Sequence, residues 1–310
     1  MSVKFRLYKN DEQYGKDYYA IRNFLLKLND HNYPFGRWDW MIMSINKYWA
    51  NPDGLNKIGI WEDNNIIVAI ATYDTSLGSA FLLTFEGYKY LRKEMLKYSQ
   101  NNLSKNGEFK VLILDGDIEM QNIAIENKFL PTQDKEHDAL FIINDENTNY
   151  TLPEGFKICS LKDNFSIFKY GQVCWKGFNH EIDGGGPFEF YWEKHSKEYE
   201  KEWNRPNIDL DLKIFVVAPN GDFVSHCGMW YDKTIDCALV EPVATEPAYR
   251  KMGLGKAAVL EGIKRCGKLG AKRAYVDSSQ QFYYNIGFRP YKASTWWEEK
   301  KNNGKGQNCT

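Results

Sequence analysis

The 310-residue chain has no long apolar stretch. Its longest runs, such as Ile66 to Ala71, fall far below the ~20 residues that a membrane helix needs. It has no excess of one charge either, since forty basic against forty-one acidic side chains leave a net charge of −1. Binding to DNA or RNA draws on clustered cations that neutralise phosphates, so this balance argues against a nucleic-acid partner. The six cysteines form no CxxC pair, and none stands at metal-ligand spacing from the five histidines. No metal is expected, and the cysteines read as ordinary apolar residues in a reducing compartment. The first residues, MSVKFRLYKN, alternate and carry charge, unlike a signal peptide. The expected location is the cytoplasm.

What is present is a chain long enough for two domains, and its two halves echo one another. WEDNNIIVAIATYD (61–74) and APNGDFVSHCGMWYD (218–232) both place a polar turn between apolar runs and end in Tyr-Asp. FKVLILDGD (109–117) parallels AKRAYVDSS (271–279), and IAIENKF (123–129) parallels FYYNIGF (282–288). These landmarks recur about 160 residues apart, the size of an ordinary domain. The polar stretch Asn144 to Asn149 reads as the linker, which divides the chain into domains 1–148 and 149–310. The tail after Glu299 is expected to fray.

In the second half, apolar periodicity predicts a strand (156–161), two helices (165–178 and 188–203) and a hairpin (212–218 and 223–231). A strand (236–245), a helix (254–269), a strand (273–277), a short helix (279–285) and a last strand from Arg289 follow. Such alternation implies an α/β (α+β) fold, a mixed sheet with helices on both faces. The final strands look short, so the sheet is expected to need the other half for completion.

The informative segment is EPVATEPAYRKMGLGKAAVLEGIKRCGKLG (241–270). Pro242 cannot donate to a ladder, so its strand is expected to bulge or splay there. Arg250, Gly253 and Gly255 precede a helix whose apolar face is read as Met252, Val259, Ile263 and Cys266. A helix N-terminus offers unpaired N–H groups, and glycines let a phosphate approach them closely. With Arg250, Lys251 and Lys256 alongside, the loop suits a pyrophosphate. A P-loop is excluded because Lys256 is followed by Ala257. GLGKAA also fits a dinucleotide fingerprint, with Asp277 in the region of the ribose acid, although the charged stretch Glu246 to Lys251 separates the strand from the glycines.

VATEPAYRKMGLGKAAV resembles the coenzyme motif of the GNAT superfamily of acyl-CoA-dependent N-acetyltransferases, matched by Arg250, Gly253 and Gly255. FYYNIGF resembles that family's FYxxxGF element, with Tyr283 at the tyrosine position. The likeness covers residues 150–299. It implies two tandem GNAT-like domains, the first a degenerate copy, because SLGSAFLLTFEGYKYLRKE (76–94) carries no such loop and Ala124 stands at the tyrosine position. It further implies acetyl-CoA as co-substrate, held by the backbone at Val243, Ala244 and Thr245 and by Arg250, Lys251, Met252, Gly253, Leu254, Gly255 and Lys256. Ser278 stands where many members carry an asparagine.

Acyl transfer to an amine needs a base, because an alkylammonium titrates near ~10.4. Glu241, the one ionisable group on a face with Cys237, Leu239 and Val243, is the candidate, with a structural pairing as its alternative. The resemblance gives Tyr283 the role of acid toward the departing sulfur. His226 and Cys227 are strand neighbours that face opposite sides and are read as structural. Residues 181–211, with nine acids against four bases and several aromatics, suit a cationic, partly apolar small-molecule amine, with a solvated helix face as the alternative reading. A catalytically silent acyl-CoA-binding module is the rival expectation.

Overall fold

The computed structural model describes residues 3–12, 14–30, 32–44, 52–203 and 205–300. The chain beyond Lys300, where fraying is expected, lies outside the described residues. In chain order the elements begin with β1 (Lys4–Leu7), α1 (Lys16–Leu28), α2 (Phe35–Ser44), β2 (Gly59–Asp63), β3 (Ile66–Thr72) and β4 (Ser79–Thr84). Next come α3 (Arg92–Asn102), β5 (Lys110–Leu114), α4 (Ile118–Glu126), β6 (Phe129–Ile142), β7 (Lys157–Ser160), α5 (Ile167–Gly177) and α6 (Phe188–Glu202). The chain ends with β8 (Lys213–Val217), β9 (Phe223–Trp230), β10 (Cys237–Thr245), α7 (Leu254–Leu269), β11 (Arg273–Asp277), α8 (Gln281–Asn285) and β12 (Arg289–Glu299). The last strand is long rather than short.

Two compact units arise, and they exchange segments. The first comprises residues 1–33, 48–136 and 292–310, and the second residues 34–47 and 137–291. Strands β1 to β4 pair antiparallel in succession, β4 runs parallel to β5, and β12 closes antiparallel on β5. The second unit repeats this order: β7 to β10 pair antiparallel, β10 runs parallel to β11, and β6 closes antiparallel on β11. Each sheet therefore takes its last strand from the other half of the sequence. The parallel step explains the helix after β4 and after β10, because a parallel pair needs a crossover.

In the first unit the β2–β3 hairpin turns at Asn64 and Asn65, both with positive φ (51° and 62°). Asparagine tolerates that region, and two such residues make the turn that fits the strand twist. Trp61, Val68, Ala69, Ala71, Leu91 and Met95 form its packed cluster beneath α3.

In the second unit successive β8 side chains go to opposite faces. Ile214 and Val216 join the cluster with Ala258, Val259 and Ile263 of α7, while Phe215 joins Val173 of α5. Helices thus cover both faces. Small residues let α7 lie close, since a Cβ on Gly262 would come within 2.7 Å of the Met229 side chain. Gly270, at φ 114°, ends the helix in the left-handed conformation that a side chain resists.

A fragment 149–310 lacks both α2 and β6, so β11 loses the partner of Arg273–Asp277 and exposes an apolar edge. It is expected to be insoluble or to melt well below the full chain, whereas 128–310 regains β6. Soluble yield and thermal melts of the two fragments check this, and equal behaviour would remove β6 from the account.

Candidate active site

The site begins at a bulge between β9 and β10, whose ladder resumes at Val243. Their register shifts between Val240 and Val243, around Pro242, which has no N–H to donate. The indole Nε1–H of Trp230 donates to the Glu241 carbonyl at 2.9 Å, which satisfies an acceptor that the ladder leaves open. Such a bond contributes on the order of 1 kcal/mol net, and losing the donor inside would cost more. Gly228 opposes the bulge, where a Cβ would collide with the same carbonyl. Beyond the bulge, Gly177 at the end of α5 admits β10, since a Cβ there would stand 2.8 Å from that of Ala244.

A cleft of about 910 Å³ follows, lined by Gly177 to Asn179, Val243, Thr245, Tyr249 to Lys251, Gly253 to Lys256, and Gln280, Phe282 and Tyr283 of the α8 region. Lys251 and Gly253 both have positive φ (65° and 82°). A lysine in that region carries strain of order 1 kcal/mol, which tends to collect where a backbone is shaped for a ligand. Nothing stands within 4 Å of a Cβ built on Gly253. Gly255 differs: its Cβ would meet Thr245 Oγ1 at 3.1 Å, so it serves the packing of α7 rather than leaving open space.

Most sequence-predicted residues come together here, with qualifications. Arg250 turns its guanidinium onto protein acceptors, the carbonyls of Thr245 (3.1 Å) and Gly177 (2.8 Å) and Asn179 Oδ1 (2.8 Å). It ties the loop after α5 to the glycine loop. Met252 is 42% exposed and precedes α7, so it is not part of that helix's apolar face. It lines a separate depression with Asn149 to Pro153. Ala244 is buried, and Ser278, whose Oγ accepts from Gln280 N at 3.2 Å, is not among the cleft-lining residues.

Tyr283 is largely buried, packed edge-on against Phe282 and Phe288. Burial chiefly, then charge at Cys227 and Glu241, pushes its phenol well above 10. It therefore stays protonated, the form that can donate. Glu241 is half-buried and forms an ion pair with Arg37 of α2, whose guanidinium lies 5.0 Å from the Trp40 ring centroid. A sequence reading had no signal for Arg37, 204 positions away. Trp230 and Lys213 were missed too, although Trp230 is only 11 positions from Glu241 and Lys213 only 16 from Met229, because nothing in their sequence surroundings marks these contacts. Burial pulls the Lys213 ammonium down to about 8, although it donates to the Met229 carbonyl (2.9 Å) and lies 3.8 Å above the Trp230 ring.

His226 is fully buried, and its Nδ1 donates to the Ile214 carbonyl at 3.0 Å. It stacks on Phe215 with centroids 4.5 Å apart, which bears out a structural role. Cys227 is buried too, and burial raises its thiol far from reactivity.

The sequence profile of the acetyltransferase (GNAT) family matches residues 184–288. The fold is similar to that of a tandem GNAT protein from the clavulanic acid biosynthesis pathway, at 11% identity with TM-score 0.60, covering 98% of this chain and 100% of that one. A GCN5-related N-acetyltransferase from Sphaerobacter thermophilus gives 11% identity and 0.53 over 96% and 95% of the two chains. A GNAT-family acetyltransferase from Colwellia psychrerythraea gives 12% and 0.53 over 97% and 100%. No curated protein matches the chain significantly. The family match thus covers about a third of the chain, within its second half, and the fold of the whole chain is similar to that of a tandem GNAT protein. No helix among the described residues is long and apolar enough to cross a membrane.

Burial chiefly, with help from the Lys213 charge, lowers His226 from 6.5 to about 3, against the pull of its backbone hydrogen bond. Between those values the unfolded chain binds a proton that the folded one does not, so stability falls as pH drops through the window. His226→Phe is expected to flatten part of that acid slope. Melting temperatures of both proteins from pH 7 down to 4 check it, and parallel slopes would contradict it.

Proposed function

We propose that the protein transfers an acetyl or similar acyl group from acyl-CoA to the amine of a small molecule, at one site in the second unit. The observation that carries this reading is the loop from Lys251 to Lys256, with its open space at Gly253 before α7, facing one cleft with Tyr283 and the end of β10 beyond its pairing with β11. Phosphates seat on the backbone N–H groups at the start of α7, assisted by Lys251 and Lys256. Pantetheine runs along Val243 to Thr245 on the β11 side of β10, beyond Leu239 where the pairing with β11 stops. The amine nitrogen attacks the thioester carbon and the C–S bond breaks. The sulfur takes a proton from Tyr283, and the amine gives one to Glu241, directly or through water. The Arg37 cation favours the carboxylate form of Glu241, which is the form a base requires.

The first unit supports a silent role. Where the second unit has its loop, β4 leads through a short helical turn into α3, and Ala124 is buried where a tyrosine would act. We take 1–148 and 149–310 as the two copies of a duplication, later knit by exchanged strands.

Calorimetry is expected to give one acetyl-CoA per chain, and Gly253→Val to weaken it by at least about tenfold because a side chain fills the phosphate space. Two equivalent sites, or unaltered binding in the variant, would refute the assignment. Release of CoA over an amine panel tests turnover, and binding without turnover on any amine favours a silent coenzyme-binding module. Tyr283→Phe and Glu241→Gln are expected to lower kcat by about 10²–10⁴ with little effect on coenzyme affinity. The loss in Glu241→Gln recovers partly at higher pH, where more amine is neutral. Unchanged kcat in both leaves proximity alone as the mechanism.

A further inference from the structure

Lys213 of β8 and His226 and Trp230 of β9 rise from one face of the second unit's sheet. The register sets Lys213 opposite Gly228 and Phe215 opposite His226, and residues two apart on a strand share a face. It is the α5 face, where Phe215 joins one packed cluster with Val173 and Trp203. Lys213, His226, Trp230, Trp203, Tyr170 and Pro242 stand among the walls of a cavity of about 10 Å³, the room of one water molecule. Tyr170 marks where two of these side chains converge, with ring centroids 4.5 Å from Trp203 and 5.1 Å from His226.

Three polar groups on these walls are buried and short of partners. Lys213 is 3% exposed, and its ammonium makes a single hydrogen bond, to the Met229 carbonyl at 2.9 Å. An ammonium has three N–H groups, so capacity for a further acceptor remains. Trp203 is 6% exposed, and its indole Nε1–H has no hydrogen-bond partner among the described residues. His226 is fully buried, and its Nδ1 must be the donor toward the Ile214 carbonyl, which can only accept. Burial chiefly lowers the ring to about 3, so it is neutral and Nε2 carries a lone pair without a partner. Native structures satisfy such buried groups with protein atoms or with ordered water.

The chemistry of the three groups selects the occupant. It must accept from an ammonium and an indole N–H, and donate to an imidazole nitrogen. An anion has nothing to donate and meets the lone pair of His226. A metal cation meets the Lys213 charge. Water accepts twice and donates once, and the volume admits one molecule. We propose that this cavity binds a single water molecule, which accepts hydrogen bonds from Lys213 and Trp203 and donates one to His226. The water holds the Lys213 ammonium where it stands 3.8 Å from the centroid of the Trp230 ring, and the Trp230 indole in turn holds the Glu241 carbonyl at the bulge. Lys213 is thereby a positioning residue, which acts through Trp230. Its effect on turnover rests on the acyl-transfer reading above, whereas the water site does not.

A crystal structure of the full-length protein, at a resolution that orders buried water, tests the site directly. One density peak is expected within about 3.2 Å of Lys213 Nζ, Trp203 Nε1 and His226 Nε2. An empty cavity overturns the proposal, and so does an anomalous peak there in crystals soaked in bromide, which would make it a halide site. Lys213→Met keeps the length of the side chain and removes its donors. Its kcat is expected to fall by about tenfold, as for a misplaced group, while acetyl-CoA Kd by calorimetry stays within about threefold. Its melting temperature is expected to hold or rise, because an apolar chain replaces a buried charge that has no paired carboxylate. Unchanged kcat, or a loss of kcat that follows a loss of stability, overturns the positioning role and leaves the acyl-transfer reading intact. A wild-type protein that turns over no amine overturns that reading and the positioning role together, and the density still decides the water.

Discussion

The site depends on one missing hydrogen bond. Pro242 has no N–H, so β10 cannot hold its ladder with β9 across that residue, and the register shifts between Val240 and Val243. Beyond the bulge the ladder with β9 resumes at Val243, whereas pairing with β11 has stopped at Leu239, and Val243 and Thr245 line the cleft. What keeps the gap from collapsing is local and specific. Trp230 satisfies the Glu241 carbonyl through its indole, Gly228 makes room opposite, and Arg37 pairs with the carboxylate. An open ladder in a sheet interior is costly unless such partners replace the lost bonds.

Around that gap the second unit brings its chemistry from several elements. The loop before α7 supplies a backbone with two positive-φ residues, α8 supplies Tyr283, and the end of α5 supplies Gly177 and Asn179. Arg250 joins two of these pieces, and its three hydrogen bonds all go to protein acceptors. It thereby holds the loop in shape. The first unit has the same strand order, and among its described residues β4 leads through a short helical turn into α3 without a comparable glycine loop.

Most of the fold was legible in the residues. Strand and helix positions in the second half followed from apolar periodicity, and the bulge followed from a proline in an otherwise apolar strand. Gly253 and Tyr283 were recognisable because their neighbours form short, ordered motifs. Met252 was misjudged because a helical period was extended two residues ahead of the true start at Leu254, into a loop whose Lys251 is already left-handed. The final strand was thought short because its partners, in β5, lie about 180 residues earlier.

The sequence by itself determined the glycine loop, the break at Pro242 and the repeated pattern of the two halves, because each arises from backbone limits acting on adjacent residues. Only the tertiary structure decided which strand closes each sheet, that α2 belongs to the second unit, and that Arg37 meets Glu241. Those outcomes depend on contacts between segments far apart in the chain, where side-chain volume and charge select the partner and no local period records the choice.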